Sequence, residues 1–255
     1  MITTIDEERA EVIVRDRDGE RRHPLASAEG FAAASRAWLR AGWDAKYVYG
    51  FTWFGRPVIQ LPDDLVRVQE VVYRLAPEVI VETGVAHGGS LVFYASLLAA
   101  MGRGRVIGVD VEIRPHNRAA IETHPLAARI TLIEGDSIRP ETVDRVAAEI
   151  GSASPVLVVL DSKHSKDHVL SELRHYSRFV TVGSYIIAAD GIMEQMVGAP
   201  RTGPDWEWNN PRRAVQEFVQ QNPDFAMSEP PWPFNEGLAQ SRVSYWPDGY
   251  LRRIR

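Results

Sequence analysis

Two aspartates and one histidine in the second half of the chain have the types and spacing of a metal-assisted acid–base site. Asp161 ends the apolar run VLVVLD, Asp190 ends the run SYIIAAD, and His164 follows Asp161 by three residues. If the two runs are neighbouring parallel strands, both carboxylates project from one edge of the sheet. Paired carboxylates suit Mg²⁺, which takes oxygen ligands from acids, water and substrate. A neutral imidazole is a suitable base near neutral pH, so we expect His164 to deprotonate a substrate hydroxyl.

A glycine-bearing turn, VIVETGVAHGGS at 79–90, is the second group of residues with a chemical use. It leads from a strand into a helix with the spacing E-x-G-x-x-x-G, which differs from the G-x-G-x-x-G of dinucleotide sites. The acid at the end of the strand favours a cationic or amino-bearing ligand over a pyrophosphate. A plain tight turn is the alternative. We expect cofactor contacts at Glu82, Gly84, His87, Gly88 and Ser90.

Acidic residues also follow the next two apolar runs. Asp110 ends RVIGVD, where a carboxylate can bind ribose hydroxyls. Asp136 and Ser137 follow ITLIEG, where they could bind the edge of an adenine. Each acid alone is consistent with a solvated or helix-capping side chain. Acids after three successive strands favour a nucleoside-binding site.

The elements that must position these residues alternate between strand and helix from residue 79 onward. The apolar, β-branched runs lie at 79–83, 105–110, 130–135, 155–161 and 179–190. The helical patterns between them lie at about 88–101, 115–124, 140–150 and 166–176. Continuous apolar strands separated by helices predict an α/β, Rossmann-like fold with a parallel sheet covered on both faces. Another helix at 211–221 and a final strand pair near 225–230 and 242–254 complete the pattern.

The first 62 residues do not follow this alternation. An alanine-rich stretch predicts a helix at 28–43, and the aromatic segment 47–62 predicts a loop or short extended segment. A helix at about 63–75 precedes the first apolar run. We therefore predict an N-terminal helical or loop extension, residues 1–62, that acts as a lid or an oligomer contact, followed by a Rossmann-like domain, residues 63–255.

Composition limits the classes of function. The 255 residues are 45% hydrophobic and 25% charged, as in ordinary globular proteins. A net charge of −5 argues against a nucleic-acid partner, and the absence of cysteine excludes thiolate metal sites and cysteine nucleophiles. The acidic N-terminus and the lack of an apolar run of about 20 residues predict a cytoplasmic protein with no membrane partner.

Long motifs resemble a known family. The run FTWFGRPVIQLPDDLVRVQEVVYRLAPEVIVETGVAHGGSL is similar to the cephalosporin hydroxylase family, which comprises S-adenosylmethionine-dependent methyltransferases of natural-product pathways and includes rhamnosyl O-methyltransferases. The segments LDSKHSKDHVLSELRHY and YWPDGYLRRI extend the resemblance over roughly residues 45–255. The resemblance implies a class I methyltransferase sheet of seven strands with the last one antiparallel.

The resemblance also implies roles for single residues. It places S-adenosylmethionine against Glu82, Gly84, Asp110 and Asp136, and makes His164 the base. It assigns the metal to Asp161 and to an adjacent acid pair after the fifth strand. Ala189-Asp190 stands where that pair is usually Glu-Asp. Mg²⁺ then binds more weakly, or Glu194 or a water replaces the missing ligand, or the metal is dispensable and His164 acts as a simple base.

Several aromatic residues are candidates for the acceptor site. Tyr49, Trp53, Trp206 and Trp208 offer stacking surface for a glycosylated or polycyclic natural product, as in antibiotic biosynthesis. Family analogy favours a hydroxyl of a rhamnose-like sugar. Packing in the core or between subunits is the alternative for each, and we expect a homo-oligomer.

Two other functions remain open. A nicotinamide-dependent oxidoreductase is disfavoured by the spacing of the glycine turn and by the lack of a Tyr-x-x-x-Lys pair. A non-catalytic cofactor-binding or assembly module is favoured only by Ala189. His168 and His175, on the helix after Asp161, are expected to be exposed to solvent.

Overall fold

A three-stranded antiparallel sheet begins the chain in the computed structural model, which describes all residues, 1–255. Its strands, in the order β1-β2-β3, are Ile2–Asp6, Glu11–Asp16 and Gly19–Pro24. Val12 and Val14 alternate along β2 and pack with Ala33 of helix α1, Ala28–Asp44. The hydroxyl of Ser27 caps α1 by accepting the backbone N–H of Gly30 at 3.0 Å.

Two compact units divide the chain differently from the sequence prediction. One unit comprises residues 1–47 and 231–244, and the other comprises residues 48–230 and 245–255. The sequence analysis placed the boundary at residue 62 and expected a helix and loops before it, with a loop or short extended segment at 47–62. The helix is present, but residues 2–24 are strands, so that description is corrected for them. Val12 and Val14 are the only buried residues of these three strands, and Ile13 between them hides the alternation in the sequence.

The larger unit begins with short elements. After a 3₁₀ turn at Tyr47–Gly50, strands β4, Phe51–Trp53, and β5, Arg56–Val58, form a two-stranded hairpin. Helix α2, Pro62–Leu75, starts at a proline, which needs no N–H partner in the first turn. It ends at Ala76, whose left-handed backbone stops the helix before Pro77.

A seven-stranded sheet forms the body of this unit. In chain order its strands β6 to β12 are Val79–Thr83, Arg105–Asp110, Ile130–Glu134, Val156–Leu160, Tyr185–Ala188, Phe225–Met227 and Tyr250–Arg253. The helices α3 to α7 between them are Gly89–Ala100, Pro115–Glu122, Pro140–Ile150, Lys166–Tyr176 and Pro211–Gln221. None of the helices in the chain combines the length and apolar character that a membrane span requires.

The strand order places several carboxyl ends side by side. The order is β11-β12-β10-β9-β6-β7-β8, with β6 to β10 parallel and β12 antiparallel to both of its neighbours. The chain order reverses between β6 and β9, and ligands of such sheets bind outside the carboxyl ends at this point. The predicted Rossmann-like fold with seven strands and an antiparallel last strand is confirmed.

Burial explains why these strands are continuous apolar runs. All residues of β6 and β9 are buried. Val79, Val81 and Val158 lie in one core with side chains of α5, α6 and α7. The alternate residues, such as Ile80 and Leu157, are also inaccessible to solvent, so both faces of the sheet are covered.

Candidate active site

A cavity of about 440 Å³ opens at the carboxyl ends of β6, β7, β8 and β9. Predicted residues from each of these strand ends line it, namely Gly84, Asp110, Asp136, Ser137 and Asp161. The four ends meet because the strands are adjacent and parallel. The volume is within the range of small-molecule sites.

Gly84 allows the turn after β6 to approach the end of β9. Its φ is +96°, a backbone conformation that favours glycine, and a Cβ at this position would lie 2.0 Å from the carbonyl oxygen of Asp161. Any side chain would therefore push the turn away from the neighbouring strand. The glycine therefore brings the turn after β6 close to Asp161.

Asp110 organises the glycine turn as well as lining the cavity. Its Oδ2 accepts the backbone N–H groups of Val85 at 2.8 Å and Ala86 at 3.2 Å, and its Oδ1 accepts the N–H of Glu112 at 3.2 Å. The carboxylate is thus fixed at the cavity edge where the sequence predicts a ribose contact.

Glu82 lies beneath the turn and is fully buried. Its Oε2 accepts the hydroxyl of Ser90 at 2.6 Å, while its Oε1 has no hydrogen-bond partner. Burial, followed by the nearby charge of Asp161, raises the pKa of Glu82 well above its usual range. Glu82 does not line the 440 Å³ cavity, so the structure places it behind the cofactor turn.

His87 and Gly88 occupy the far side of the turn. His87 borders a second, smaller cavity, and its carbonyl oxygen accepts the guanidinium of Arg56 at 2.6 Å and 2.9 Å. Gly88 has a φ of +81° and precedes α3, and a Cβ there would meet the side chain of Ile121. Gly88 therefore serves the turn and its packing and lies outside the lining of both cavities.

A hydrogen-bond network forms part of the cavity wall, where Ser137, Ser162 and His168 line the cavity and the buried Glu172 lies behind them. The hydroxyls of Ser137 and Ser162 donate to Oε1 of Glu172 at 2.6 Å and 2.7 Å. His168 Nε2 lies 3.1 Å and 3.3 Å from the same two hydroxyls, and its side chain is 13% exposed. The expectation that His168 is solvent-exposed is therefore wrong, because α6 turns it inward toward a carboxylate.

Asp136, the neighbour of Ser137, stays at the cavity surface. Its Oδ1 accepts the N–H of Ile138 at 3.2 Å, which orders the loop after β8. Its Oδ2 lies 3.8 Å from the guanidinium of Arg139. Asp136 and Ser137 both line the cavity, as predicted for adenine-binding residues.

Asp161, His164 and Asp190 converge as their spacing predicts. One ligand atom from each lies within 4.8 Å of the others, and His164 Nε2 is 3.5 Å from Asp190 Oδ2. Asp190 follows β10 in a left-handed backbone conformation, with a φ of +57°. The loops after two adjacent strands thus bring the three side chains to one point.

The electrostatics of this group fit a divalent cation. Burial, followed by the charge of Asp190, raises the pKa of Asp161 to about 7, and burial raises the pKa of Asp190 against the opposing effect of His164. The two crowded carboxylates are hard oxygen donors whose negative charge a divalent cation would neutralise. Asp161 and Asp190 are therefore suited to hold Mg²⁺.

Glu194 does not complete this group. Its Oε2 lies 2.7 Å from Nη1 of Arg212, and its Oε1 lies 2.5 Å from Nη2 of Arg213. Both oxygens are thus paired with cations, and Glu194 is not among the residues that converge at Asp161. Ala189, where the resembling family carries an acid, is buried and offers no ligand.

The predicted acceptor aromatics lie outside the lining of both cavities. Trp53 packs edge-on against Phe93 at 5.0 Å and donates its indole N–H to Ser96 at 3.0 Å, so it anchors the hairpin to α3. Tyr49 and Trp208 are 63% and 62% exposed, and Trp206 is half-buried. The structure does not bring these four together with the catalytic group.

Comparison with known proteins decides the family. The family described as Rhamnosyl O-methyltransferase/CmcI matches residues 45–254. The chain belongs to this family. Membership confirms the resemblance and the predicted enzyme class, an S-adenosylmethionine-dependent O-methyltransferase.

Relatives and solved structures agree with the family. The rhamnosyl O-methyltransferase of Mycobacterium leprae is 26% identical over 175 residues, which are 68% of this chain and 72% of that protein. The enzyme of the same name from Mycobacterium bovis is 26% identical over 168 residues, and the match spans 63% of its length, less than two thirds. Two structures of CmcI, one apo and one with Mg and SAM, are each 22% identical to this chain with a TM-score of 0.55. Each match covers 81% of this chain, together with 77% of the apo CmcI chain and 78% of the chain with Mg and SAM.

Sequence reasoning missed two residues of this Rhamnosyl O-methyltransferase/CmcI site. Gln60 donates from Nε2 to Asp161 Oδ2 at 3.0 Å across 101 positions of sequence, and no local pattern marks such a contact. Glu172 was detectable, since it occupies the buried stripe of α6 among apolar residues, where an acid normally requires partners.

Proposed function

We propose that this chain transfers the methyl group of S-adenosylmethionine to a sugar hydroxyl of a natural product. The observation that carries the proposal is the convergence of Asp161, His164 and Asp190 within 4.8 Å, with Asp161 also lining the 440 Å³ cavity. A base and two carboxylates therefore stand at the edge of a cavity that has the size and the acidic strand ends of a nucleoside site.

The cofactor occupies the larger cavity in this proposal. Asp110 and Asp136 bind its ribose and adenine ends, and the turn at Gly84 lets the main chain approach its amino-acid end. The methyl group would then lie near Asp161. The structure of CmcI with Mg and SAM, which shares the fold, supports S-adenosylmethionine as the cofactor.

His164 acts as the base. It accepts the proton of the acceptor hydroxyl as the oxygen forms a bond to the methyl carbon and the bond from that carbon to sulfur breaks, leaving S-adenosylhomocysteine. Asp190, 3.5 Å from His164 Nε2, orients the ring and stabilises the imidazolium that forms. A divalent cation held by Asp161 and Asp190 would supply a Lewis acid for the acceptor oxygen.

The acceptor is proposed from the relatives. Curated proteins that are 26% identical to this chain are rhamnosyl O-methyltransferases, so we propose a rhamnose-like sugar on a glycosylated scaffold. The positions of Tyr49, Trp53, Trp206 and Trp208 around the acceptor remain a prediction, as do homo-oligomer formation and the role of the N-terminal region as a lid or oligomer contact.

The test is methyl transfer from isotope-labelled S-adenosylmethionine to rhamnosides, phenols and polycyclic alcohols. We expect labelled product with a rhamnoside, and a loss of about 10² to 10⁴ in kcat for His164→Ala, the range for removal of a general base. His116→Ala is the matched control, because His116 is exposed on α4. Full activity in His164→Ala would refute the assignment of His164 as the base. Labelled product with phenols alone would refute the sugar as the acceptor.

A further inference from the structure

The loop that carries His164 is held at both ends. It comprises residues 161–165, between β9 and α6. At its start the N–H of Asp161 donates to a carbonyl oxygen at the end of β6 at 2.8 Å. At its end the N–H of Lys166, the first residue of α6, donates to Oδ1 of Asn209 at 2.8 Å. His164 is separated from Lys166 by two residues, or about 7 Å of extended chain, so movement of this second anchor moves the histidine.

Asn209 supplies a cap that α6 lacks. The first N–H groups of a helix have no partner within the helix and require an acceptor from outside it. Ser165 occupies the N-cap position, but its side chain makes no capping hydrogen bond. Asn209, 43 positions from Lys166 along the chain, provides the acceptor instead. The start of α6 therefore depends on the segment that precedes α7.

The amide of Asn209 is fixed in one orientation. Its Nδ2 donates to Oδ2 of Asp205 at 2.6 Å, and its backbone N–H donates to the carbonyl oxygen of Asp205 at 2.8 Å. An ionised carboxylate can only accept, so Nδ2 faces Asp205 and Oδ1 faces the N–H of Lys166. A flipped amide would lose both side-chain hydrogen bonds.

Asn210 attaches the same segment to α7. It is fully buried, its Oδ1 accepts the N–H of Arg213 at 3.0 Å, and its Nδ2 donates to the carbonyl oxygen of Trp206 at 2.7 Å. Two consecutive asparagines thus cap two different helices. An ion pair adds to this connection, since Nζ of Lys166 lies 2.7 Å from Oε2 of Glu217 on α7.

The start of α7 also contacts the segment after Asp190. Nη1 of Arg212 lies 2.7 Å from Oε2 of Glu194, which follows Asp190 by four residues. The start of α7 is therefore connected to the chain on both sides of the pair formed by His164 and Asp190, whose Nε2 and Oδ2 are 3.5 Å apart. Asn209 is the connection on the side of His164.

We propose that Asn209 is a positioning residue that holds His164 against Asp190 by capping α6. The inference rests on the proposed function, because it requires His164 to be the base of the methyl transfer. A base must lie within hydrogen-bond reach of the acceptor hydroxyl, and a displacement of about 1 Å can lower the rate about 10²-fold. Asn209 lines neither cavity, so it acts on the rate of transfer and not on binding of the cofactor.

The first test separates positioning from binding. In Asn209→Ala we expect kcat, measured with isotope-labelled S-adenosylmethionine and the acceptor that the wild type methylates fastest, to fall about 10- to 100-fold. The KM of the acceptor and the calorimetric affinity for S-adenosylhomocysteine should change by less than about twofold. A raised KM with unchanged kcat would assign Asn209 to acceptor binding and overturn the inference.

Asn222→Ala is the matched control. The Oδ1 of Asn222 also accepts a backbone N–H, that of Asp224 at 3.2 Å, but it lies at the opposite end of α7. This variant should keep the kcat of the wild type. A loss equal to that of Asn209→Ala would mean that any weakening of α7 lowers the rate, and would overturn the inference.

A reversed pair tests the hydrogen bonds themselves. Asn209→Asp keeps an acceptor for Lys166 but sets two carboxylates against each other, so we expect kcat to fall. Adding Asp205→Asn restores a donor, now from position 205, and should return kcat to within about threefold of wild type. A double variant that binds S-adenosylhomocysteine normally but does not regain kcat would overturn the inference.

Dependence on His164 is tested in a double variant. With His164→Ala already present, Asn209→Ala should change the residual rate by less than about twofold, because the group that it positions is gone. A further loss of about tenfold would show that Asn209 acts independently of His164, and the proposed function would still stand. A wild-type chain that transfers no methyl group to any hydroxyl would instead refute the proposed function, and this inference with it.

Discussion

Asp161 has contacts with every part of the site. Its carboxylate accepts a hydrogen bond from Gln60 and lies within 4.8 Å of the ligand atoms of His164 and Asp190. Asp161 also lines both cavities, and its carbonyl oxygen lies next to Gly84. The consequences of changing single residues should therefore be largest here.

Binding of Mg²⁺ should depend on pH through Asp161. The pKa of this carboxyl is raised to about 7 by burial and by the charge of Asp190, and Mg²⁺ requires the ionised form. Protonation therefore competes with the metal as the pH falls below about 7, and we expect the affinity for Mg²⁺ to be about tenfold weaker at pH 6 than at pH 8. Calorimetric titrations at pH 6, 7 and 8 in two buffers would measure both affinity and proton release. An affinity that does not change over this range would contradict the assignment.

Gly84 should tolerate no side chain. Gly84→Ala places a Cβ 2.0 Å from the carbonyl oxygen of Asp161, so the turn and the catalytic acid must separate. We expect a loss of stability of about 3 kcal/mol or more and loss of S-adenosylhomocysteine binding. Gly102→Ala is the matched control, because its φ is +70° and no atom lies within 4 Å of the added Cβ. Chemical denaturation of both variants separates the steric clash from the effect of the positive φ. Equal losses of stability in the two variants would mean that the positive φ alone destabilises them and that the clash with Asp161 has no effect.

The convergence of Asp161, His164 and Asp190 was predictable from sequence, and their surroundings were not. Asp161, His164 and Asp190 follow strand ends, and topology brings such positions together. Gln60 lies in an aromatic segment without a periodic pattern, and its contact depends on tertiary packing. The suggestion that Glu194 replaces the missing acid was reasonable by proximity in sequence, but two arginines hold it.

At the scale of elements, α6 connects two loops of the site. Glu172 accepts hydroxyl groups from Ser137, after β8, and from Ser162, after β9. The loops after β8 and β9 are therefore held to one helix by one carboxylate. His168 joins them one turn earlier on the same helix.

Removal of this carboxylate should loosen both loops. Glu172→Ala leaves the hydroxyls of Ser137 and Ser162 with one shared alternative partner, Nε2 of His168, and creates a cavity, so we expect a loss of stability of about 2–4 kcal/mol and weaker binding of S-adenosylhomocysteine. Glu149→Ala, on the exposed face of α5, should change stability by less than about 0.5 kcal/mol. Urea denaturation with and without ligand provides both values. Stability equal to wild type would mean that the network has no effect on the fold.

Elements with strong local patterns were predicted closely. The strand at 79–83 and the helices at 140–150, 166–176 and 211–221 have the expected bounds. A proline or an N-cap residue marks the start of most of these helices, and burial on both faces marks the strand. The strands β1 to β3 escaped prediction because β1 and β3 are largely exposed, and their pairing depends on β2.

At the scale of the whole molecule, the family accounts for most of the chain. The match begins at residue 45, after the strands β1 to β3 and within one residue of the end of α1. The resemblance therefore carried no information on the N-terminal elements. It did predict the seven-stranded sheet and its antiparallel last strand, because these lie within the matched region.

The central claim is that the cavity at the carboxyl edge of this sheet binds S-adenosylmethionine. The most direct test is the thermal stability of the full chain with excess S-adenosylhomocysteine, NAD⁺ or NADP⁺, each with and without Mg²⁺. A ligand at about 100 times its dissociation constant stabilises the fold by roughly 2.7 kcal/mol, which raises the melting temperature measurably. We predict a shift with S-adenosylhomocysteine and none with either nicotinamide nucleotide. A shift with a nicotinamide nucleotide alone would contradict the account and the roles given to Asp161 and His164.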